Sequence, residues 1–243
     1  MKNKFLILVS ILSFSCKKEN LGDCFKSTGK IVEEERSILP FNKLELNDRI
    51  NLFITYAPEL SLKVKAGKNL QDLIKTQVTE NTLKIENTNK CNWVRSFKKG
   101  VDVFISTPML KEITYYGSGE VHCLNTFETD TLLVNLWQAS GDLTLNVDAQ
   151  LVELKTHTGV GTIKCEGKTN RLVAFIGGNG FVDASQTIAN EVLAVNENTG
   201  YVRVSATTSL KADIRGSGNI EYFGNPTITL SNEGSGKLIK IGN

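Results

Sequence analysis

The residues of this chain best suited to chemistry recur at a nearly fixed interval. Lys164, Asp183, Arg203 and Glu221 follow one another at 19, 20 and 18 residues, each standing three positions after a glycine. If each interval is one turn of a coil, they form an outward row of two bases and two acids. Polysaccharide lyases and hydrolases on parallel β-helices draw their acid–base pairs from rows of this kind. The same row is also a ladder of opposite charges that holds neighbouring turns in register, each contact contributing about 0.2–1 kcal/mol. The ladder takes precedence, because catalysis needs a site geometry that spacing alone does not supply. His122 and His157 belong to no HExxH pattern or nucleophile elbow and read as solvated surface residues.

Two further candidates fall in the same stretch. Phe181 and Tyr201 each stand one position after a glycine, 20 residues apart, and form either an aromatic platform for a sugar or protein or a cross-strand stack serving stability. With Asp183 and Arg203 they make up the candidate binding surface. The run Gly177-Gly178-Asn179-Gly180-Phe181-Val182-Asp183 is close to a calcium-binding nonapeptide roll, but Val182 occupies the Asp position and the nine-residue period is missing. No glycine pair precedes a helix that could hold a phosphate. The sequence therefore calls for no metal and no cofactor.

What must position these residues is a repeat. Gly119, Gly141, Gly161, Gly180, Gly200, Gly218 and Gly236 are separated by 22, 20, 19, 20, 18 and 18 residues. Two positions after them stand Val121, Leu143, Ile163, Val182, Val202, Ile220 and Leu238, all aliphatic. Four after stand Cys123, Leu145, Cys165, Ala184, Val204, Tyr222 and Lys240. Side chains of a strand alternate faces, so each glycine opens a strand with one buried face. A second alternating run precedes each glycine, as in Leu172, Ala174 and Ile176, or Leu210, Ala212 and Ile214. In two repeats this run (Leu132, Val134, Leu136; Val152, Leu154) lies one residue earlier, and the extra residue must be absorbed in a corner or a bulge. The facing of Trp137 depends on where. Gly117, Gly159, Gly178, Gly216 and Gly234 stand two before the anchors and are expected to supply positive φ at the corners, with Asn198 and Ala139 as exceptions and the corner at Ala139 different.

Equivalent strands about 20 residues apart pair in parallel one coil away, about 4.8 Å along the stack. The fold class is thus all-β: a right-handed parallel β-helix or β-solenoid with rungs of about 20 residues. Residues 31–107 show the same alternation without the glycines and read as an irregular β-rich first layer, with a short helical turn near Asn69–Ile74. Residues 108–243 carry the Gly-x-Gly repeats. Lys240 breaks the inward column of the final repeat and reads as a charge that blocks an open edge.

The start of the chain addresses the envelope. Lys2 and Lys4 precede the apolar run Phe5–Leu12, and Ser15 precedes Cys16, which together read as a lipoprotein-type signal over residues 1–15 with Cys16 lipidated and 16–30 as a tether. A plain secretory signal is the looser alternative. The run is too short to span a bilayer, so the membrane is reached through the lipid anchor. Cys24 and Cys91 flank the first layer, and a bridge between them would staple it in an oxidising compartment. Cys123 and Cys165 share an inward column with Leu145 between them, which puts them beyond disulfide reach. The formal net charge is +2, falling to zero once Lys2 and Lys4 leave with the signal. No basic aromatic stripe suggests nucleic acid.

Several of these residues carry a family resemblance: the lipoprotein-like start, Cys24-Phe25-Lys26 with Gly29, Arg36 with Phe41, Asn69-Leu70, Cys91-Asn92-Trp93, and the Gly-Ser-Gly triplets at 117, 216 and 234. Over roughly residues 24–243 the chain resembles the head GIN domain family of putative auto-transporter adhesins. That resemblance implies a solenoid of stacked strands in the envelope of Gram-negative bacteria and brings no catalytic or ligand residues. The functional expectation is a non-catalytic envelope lipoprotein, outer-membrane-anchored on its periplasmic or surface face, acting as an adhesin or binding module for a glycan or protein. The alternatives are a carbohydrate-active β-helix enzyme and a structural envelope-assembly protein.

Overall fold

The computed structural model describes residues 27–89 and 100–242. Its strands are β1 (Ile31–Glu35), β2 (Lys43–Leu46), β3 (Asn51–Tyr56), β4 (Ser61–Gly67), β5 (Ile74–Thr79), β6 (Thr82–Asn87), β7 (Asp102–Thr107), β8 (Glu112–Tyr115), β9 (Val121–Cys123), β10 (Phe127–Leu136), β11 (Leu143–Thr156), β12 (Thr162–Ile176), β13 (Phe181–Asn196), β14 (Val202–Ile214), β15 (Ile220–Phe223), β16 (Thr227–Asn232) and β17 (Leu238–Gly242). They wind into a β-solenoid of about seven turns. Parallel pairing runs β8–β10–β11–β12–β13–β14–β16 along one wall. Along the other it runs β9–β11–β12–β13–β14–β15–β17.

The register matches equivalent residues. Leu52, Val121, Leu143, Ile163, Val182, Val202 and Ile220 are successive partners, and every one is fully buried. Leu132, Val152, Leu172, Val192 and Leu210 form the matching file of the opposite wall. Aliphatic side chains from the two walls interdigitate, and this removal of apolar area from water drives folding.

The two runs predicted for each repeat join into one long strand that bends halfway. In β11 the buried residues are Leu143, Leu145, Val147 and Ala149, then Val152, Leu154 and Thr156, so the alternation slips by one at the bend. The bend is eased by Gly167 at φ 110° and by register shifts in β12–β13 and β13–β14. The extra residue of the two early repeats is absorbed at the glycine corner: five positions separate Leu136 from Gly141 and Thr156 from Gly161, against four from Ile176 to Gly180. At the first of these corners Gln138 takes φ 53° and Ala139 pairs with Gly159 across one coil.

The reason for the corner glycines differs from the expected one. Of the five glycines two before the anchors, only Gly159 has positive φ, at 98°. The requirement is instead close approach: a Cβ on Gly117, Gly216 or Gly234 would collide with the carbonyl oxygen of Asp48, Asn198 or Gly216 respectively, and the anchors themselves are as tightly placed. A Cβ on Gly141, Gly180, Gly200, Gly218 or Gly236 would collide with the carbonyl oxygen of the anchor glycine one coil earlier, and one on Gly119 with that of Ile50. The anchors stack backbone on backbone, and any side chain would wedge two coils apart.

The first layer is irregular in that it mixes parallel coils with antiparallel strands. β2 pairs in parallel with β8 and β6, and β3 with β9 and β7, so these strands form true coils. Antiparallel strands β5, β4 and β1 then close this front end. A 3-10 turn at Lys68–Leu73 links β4 to β5. Buried Gln71 donates to the carbonyls of Val32 and Val64, each at 3.1 Å. Arg36 donates to the carbonyls of Gln71 at 2.8 Å and Ile74 at 2.5 Å. Cys16, Cys24, Cys91 and Trp93 lie outside the described residues. Cys123 and Cys165 are free thiols.

Candidate functional site

β12 to β15 bring the acid–base row together as one line of register partners: Lys164, Asp183, Arg203 and Glu221. Arg203 bridges its neighbours. Its Nε donates to Glu221 Oε2 at 2.8 Å, and its Nη1 to Asp183 Oδ2 at 3.4 Å. The hydrogen bond to Glu221, with the negative charge of both carboxylates, holds the Arg203 pKa above its ordinary value. Asp183 Oδ1 accepts from the Ser185 hydroxyl at 2.7 Å and the Ser185 amide at 3.1 Å. Lys164 is exposed and makes no ion pair among the described residues. The row is a salt-bridge ladder whose acids are engaged by Arg203.

Phe181 and Tyr201 stack one coil apart, ring centroids 4.7 Å and planes 33° apart. The Arg203 guanidinium lies 5.0 Å from the Tyr201 ring centroid. The four predicted surface residues therefore form one continuous patch, in which ring faces and charges are largely turned on one another. Beside it, the extra residue that β13 carries opposite Lys164–Glu166 opens a depression of about 200 Å³ lined by Lys164, Glu166, Asp183, Ser185 and Gln186. It gathers Asp183 and Lys164 but not Arg203 or Phe181, and it is smaller than the roughly 300–1,000 Å³ of ordinary ligand pockets.

Two aromatic stacks escaped the sequence reading, and both contain a histidine taken for a solvated residue. Trp137 lies flat on His157, centroids 3.8 Å and planes 5° apart, and Phe175 abuts the other side at 5.7 Å. His157 Nε2 is 3.0 Å from Asn135 Oδ1. Partial burial, with a smaller contribution from Lys155, lowers the His157 pKa. His122 and Phe104 flank Phe53 at 5.6 and 4.8 Å. The 20-residue interval from Trp137 to His157 was the available signal.

A polar device at the corners also went unread. The Tyr115 hydroxyl donates to the Gly119 carbonyl at 2.7 Å, and the amides of Asn196 and Asn232 donate to the carbonyls of Gly200 and Gly236 at 2.8 and 3.1 Å. Each donor closes the inward file four residues before an anchor glycine and bonds that glycine's oxygen. Burial keeps the Tyr115 phenol protonated far into alkali.

A stack of parallel coils with charge and aromatic ladders on its walls defines a β-solenoid. The model of the family described as "Putative auto-transporter adhesin, head GIN domain" matches residues 40–226, and the chain belongs to that family. Its structure is similar to a crystal structure of a putative adhesin from Bacteroides fragilis at 29% identity and TM-score 0.81, covering 87% of this chain and 97% of that one. A putative lipid binding protein from Parabacteroides distasonis shares the fold at 20% identity and TM-score 0.67, covering 88% and 98%. A putative adhesin from Parabacteroides merdae does so at 17% and 0.64, with the same coverage. No curated protein matches the sequence.

Proposed function

We propose that the protein is a non-catalytic adhesion module of the bacterial envelope. In this reading residues 1–15 are a signal, Cys16 carries the lipid anchor, residues 16–30 form a tether, and the solenoid from residue 31 onward is displayed from the membrane. The observation that carries the proposal is the Asp183–Arg203–Glu221 ladder: the groups best placed for acid–base chemistry are engaged with one another on a strand wall. The ligand is a glycan or protein, and Phe181, Tyr201, Asp183 and Arg203 are its candidate contact surface. Lipid uptake into the coil, which the name of the Parabacteroides distasonis relative raises, finds no support in an interior filled by aliphatic files. No helix among the described residues is long and apolar enough to cross a membrane.

Two measurements test this. Metabolic labelling with palmitate should mark the wild-type chain and not Cys16→Ser, which should leave the membrane fraction; membrane retention of Cys16→Ser refutes the anchor. A glycan array and a pull-down from host matrix should return a ligand whose binding Tyr201→Ala weakens. Turnover of an acidic polysaccharide, abolished by Asp183→Ala in a folded protein, would favour an enzyme.

A further inference from the structure

The outward row that holds the salt-bridge ladder does not stop at β12. Through Thr144 it continues to His122, Phe53, Phe104, Lys63 and Glu35, successive register partners on β9, β3, β7, β4 and β1. Beside Phe104 the wall is hollowed. Ser106 on β7 is partnered by Thr55 on one side and Ser61 on the other, so three short side chains stand next to the longer Phe104 and Lys63. The space above them is about 330 Å³, bounded by Phe104, Lys63 and Glu33. That lies within the roughly 300–1,000 Å³ of ligand pockets, unlike the depression beside the ladder.

The groups around this hollow suit a sugar. Phe53 covers one face of Phe104, centroids 4.8 Å and planes 14° apart, and His122 backs Phe53 in turn. The other face of Phe104 is turned toward β4 and the hollow. A ring fixed by such a stack has little rotamer freedom left to lose on binding. The negative face of its π-system attracts the weakly positive C–H bonds along one side of a pyranose. Around it stand the partners that sugar hydroxyls need: the Lys63 ammonium as donor, the Glu33 carboxylate as acceptor, and the hydroxyls of Thr55, Ser61 and Ser106. Ser106 donates to the Glu59 carbonyl at 2.7 Å, which leaves its oxygen able to accept. The charges disfavour other ligands. Lys63 lies 3.8 Å from Glu33 and 3.4 Å from Glu35, so two acids surround one base and an anion is repelled. A cation would have to displace Lys63 from those acids. A lipid chain would strip water from all three charges and return no hydrogen bond.

We propose that this hollow is a subsite for one residue of a neutral glycan, its ring stacked on Phe104 and its hydroxyls bonded to Glu33, Lys63 and the two serines. A second hollow of about 470 Å³ shares Ser61 and Lys63 with the first and extends it across β4 toward Glu35 and Ser37. The ligand is therefore an oligosaccharide chain and not a free monosaccharide. Glu33 and Lys63 are 51% and 40% exposed, so their bonds to the sugar replace bonds to water and the affinity is weak, in the millimolar range. The inference rests on the adhesion reading for the class of ligand, but it places the sugar on the front of the wall, away from Phe181 and Tyr201.

Cellotetraose, maltotetraose and N-acetylchitotetraose, each titrated to about 20 mM, a range suited to weak binding, are the probes. At least one should shift the ring signals of Phe104 and the amide signals of Ser61 and Ser106 in NMR spectra of the isotopically labelled protein. Phe104→Leu keeps an apolar side chain on β7 and should weaken binding about threefold to tenfold. Ser61→Phe, at an exposed position, fills the hollow and should abolish binding. An acidic hyaluronan tetramer should leave these signals in place. Binding indifferent to both variants overturns the proposal, as does equal binding of the acidic tetramer. Shifts confined to Phe181 and Tyr201 would keep the adhesion reading and remove this site. No shift anywhere also overturns the site and leaves adhesion to a protein ligand. If Phe104→Leu unfolds, Ser61→Phe still decides.

Discussion

Replacing Gly200 by alanine tests the close stacking that sets the coil spacing. The new methyl group would lie far inside van der Waals contact with the carbonyl oxygen of Gly180, a backbone atom that cannot rotate away. Relief requires the corner to rise by roughly an ångström, against strands held about 4.8 Å apart by their hydrogen bonds on both walls. Overpacking of this kind costs about 1–3 kcal/mol, and a rigid backbone neighbour puts the expectation near the top of that range. The loss outweighs the gain of about 0.4–1 kcal/mol that alanine brings by restricting the unfolded chain. Gly100→Ala is the control, since its Cβ would meet its nearest neighbours at an ordinary 3.7 and 3.8 Å, and it should be neutral or slightly stabilising. Urea unfolding should show a lower midpoint for Gly200→Ala at unchanged slope. Equal midpoints for the two variants would refute steric exclusion as the reason for the anchor glycines.

Four further outcomes follow from the same structure. Asn196→Leu should cost about 1–3 kcal/mol in chemical unfolding, because it leaves the buried carbonyl of Gly200 without its side-chain donor. Arg203→Ala should cost only about 0.5–1 kcal/mol at low salt, the partly exposed ladder being screened, and the difference from wild type should shrink in about 1 M NaCl. His157 has a folded pKa below its ordinary 6.5, so the unfolded chain binds the proton more readily. Its contribution to stability is complete above pH 6.5 and is lost as pH falls through the lowered value, and His157→Gln should flatten that part of the thermal-unfolding pH profile. The Cys165 thiol, pushed up to about 12 by burial, should resist iodoacetamide in the native protein and react once it is unfolded, as read by mass spectrometry.

The period, the two apolar files and the parallel stacking were legible in the residues. A side-chain alternation of two and a recurrence of about 20 leave few ways to bury Val121, Leu143, Ile163, Val182 and Val202 together. The charge ladder and the Phe181–Tyr201 pair were readable for the same reason, since register partners are fixed once the period is known. Tertiary structure alone decided the rest. That each repeat is one bent strand depends on bulges whose placement is a balance between neighbouring coils. That the anchor glycines answer to a carbonyl one coil away, and not to their own φ, depends on an atom about 20 residues distant in sequence. The stacking of Trp137 on His157 arises because a solenoid turns an interval of one coil into contact. The exposure of the last described rung was hidden as well, because the alternation of β16 matches that of a buried strand, yet Ile228 and Leu230 are 41% and 49% exposed. Local pattern chooses which face of a strand is apolar, but whether that face finds a partner is settled by the stack.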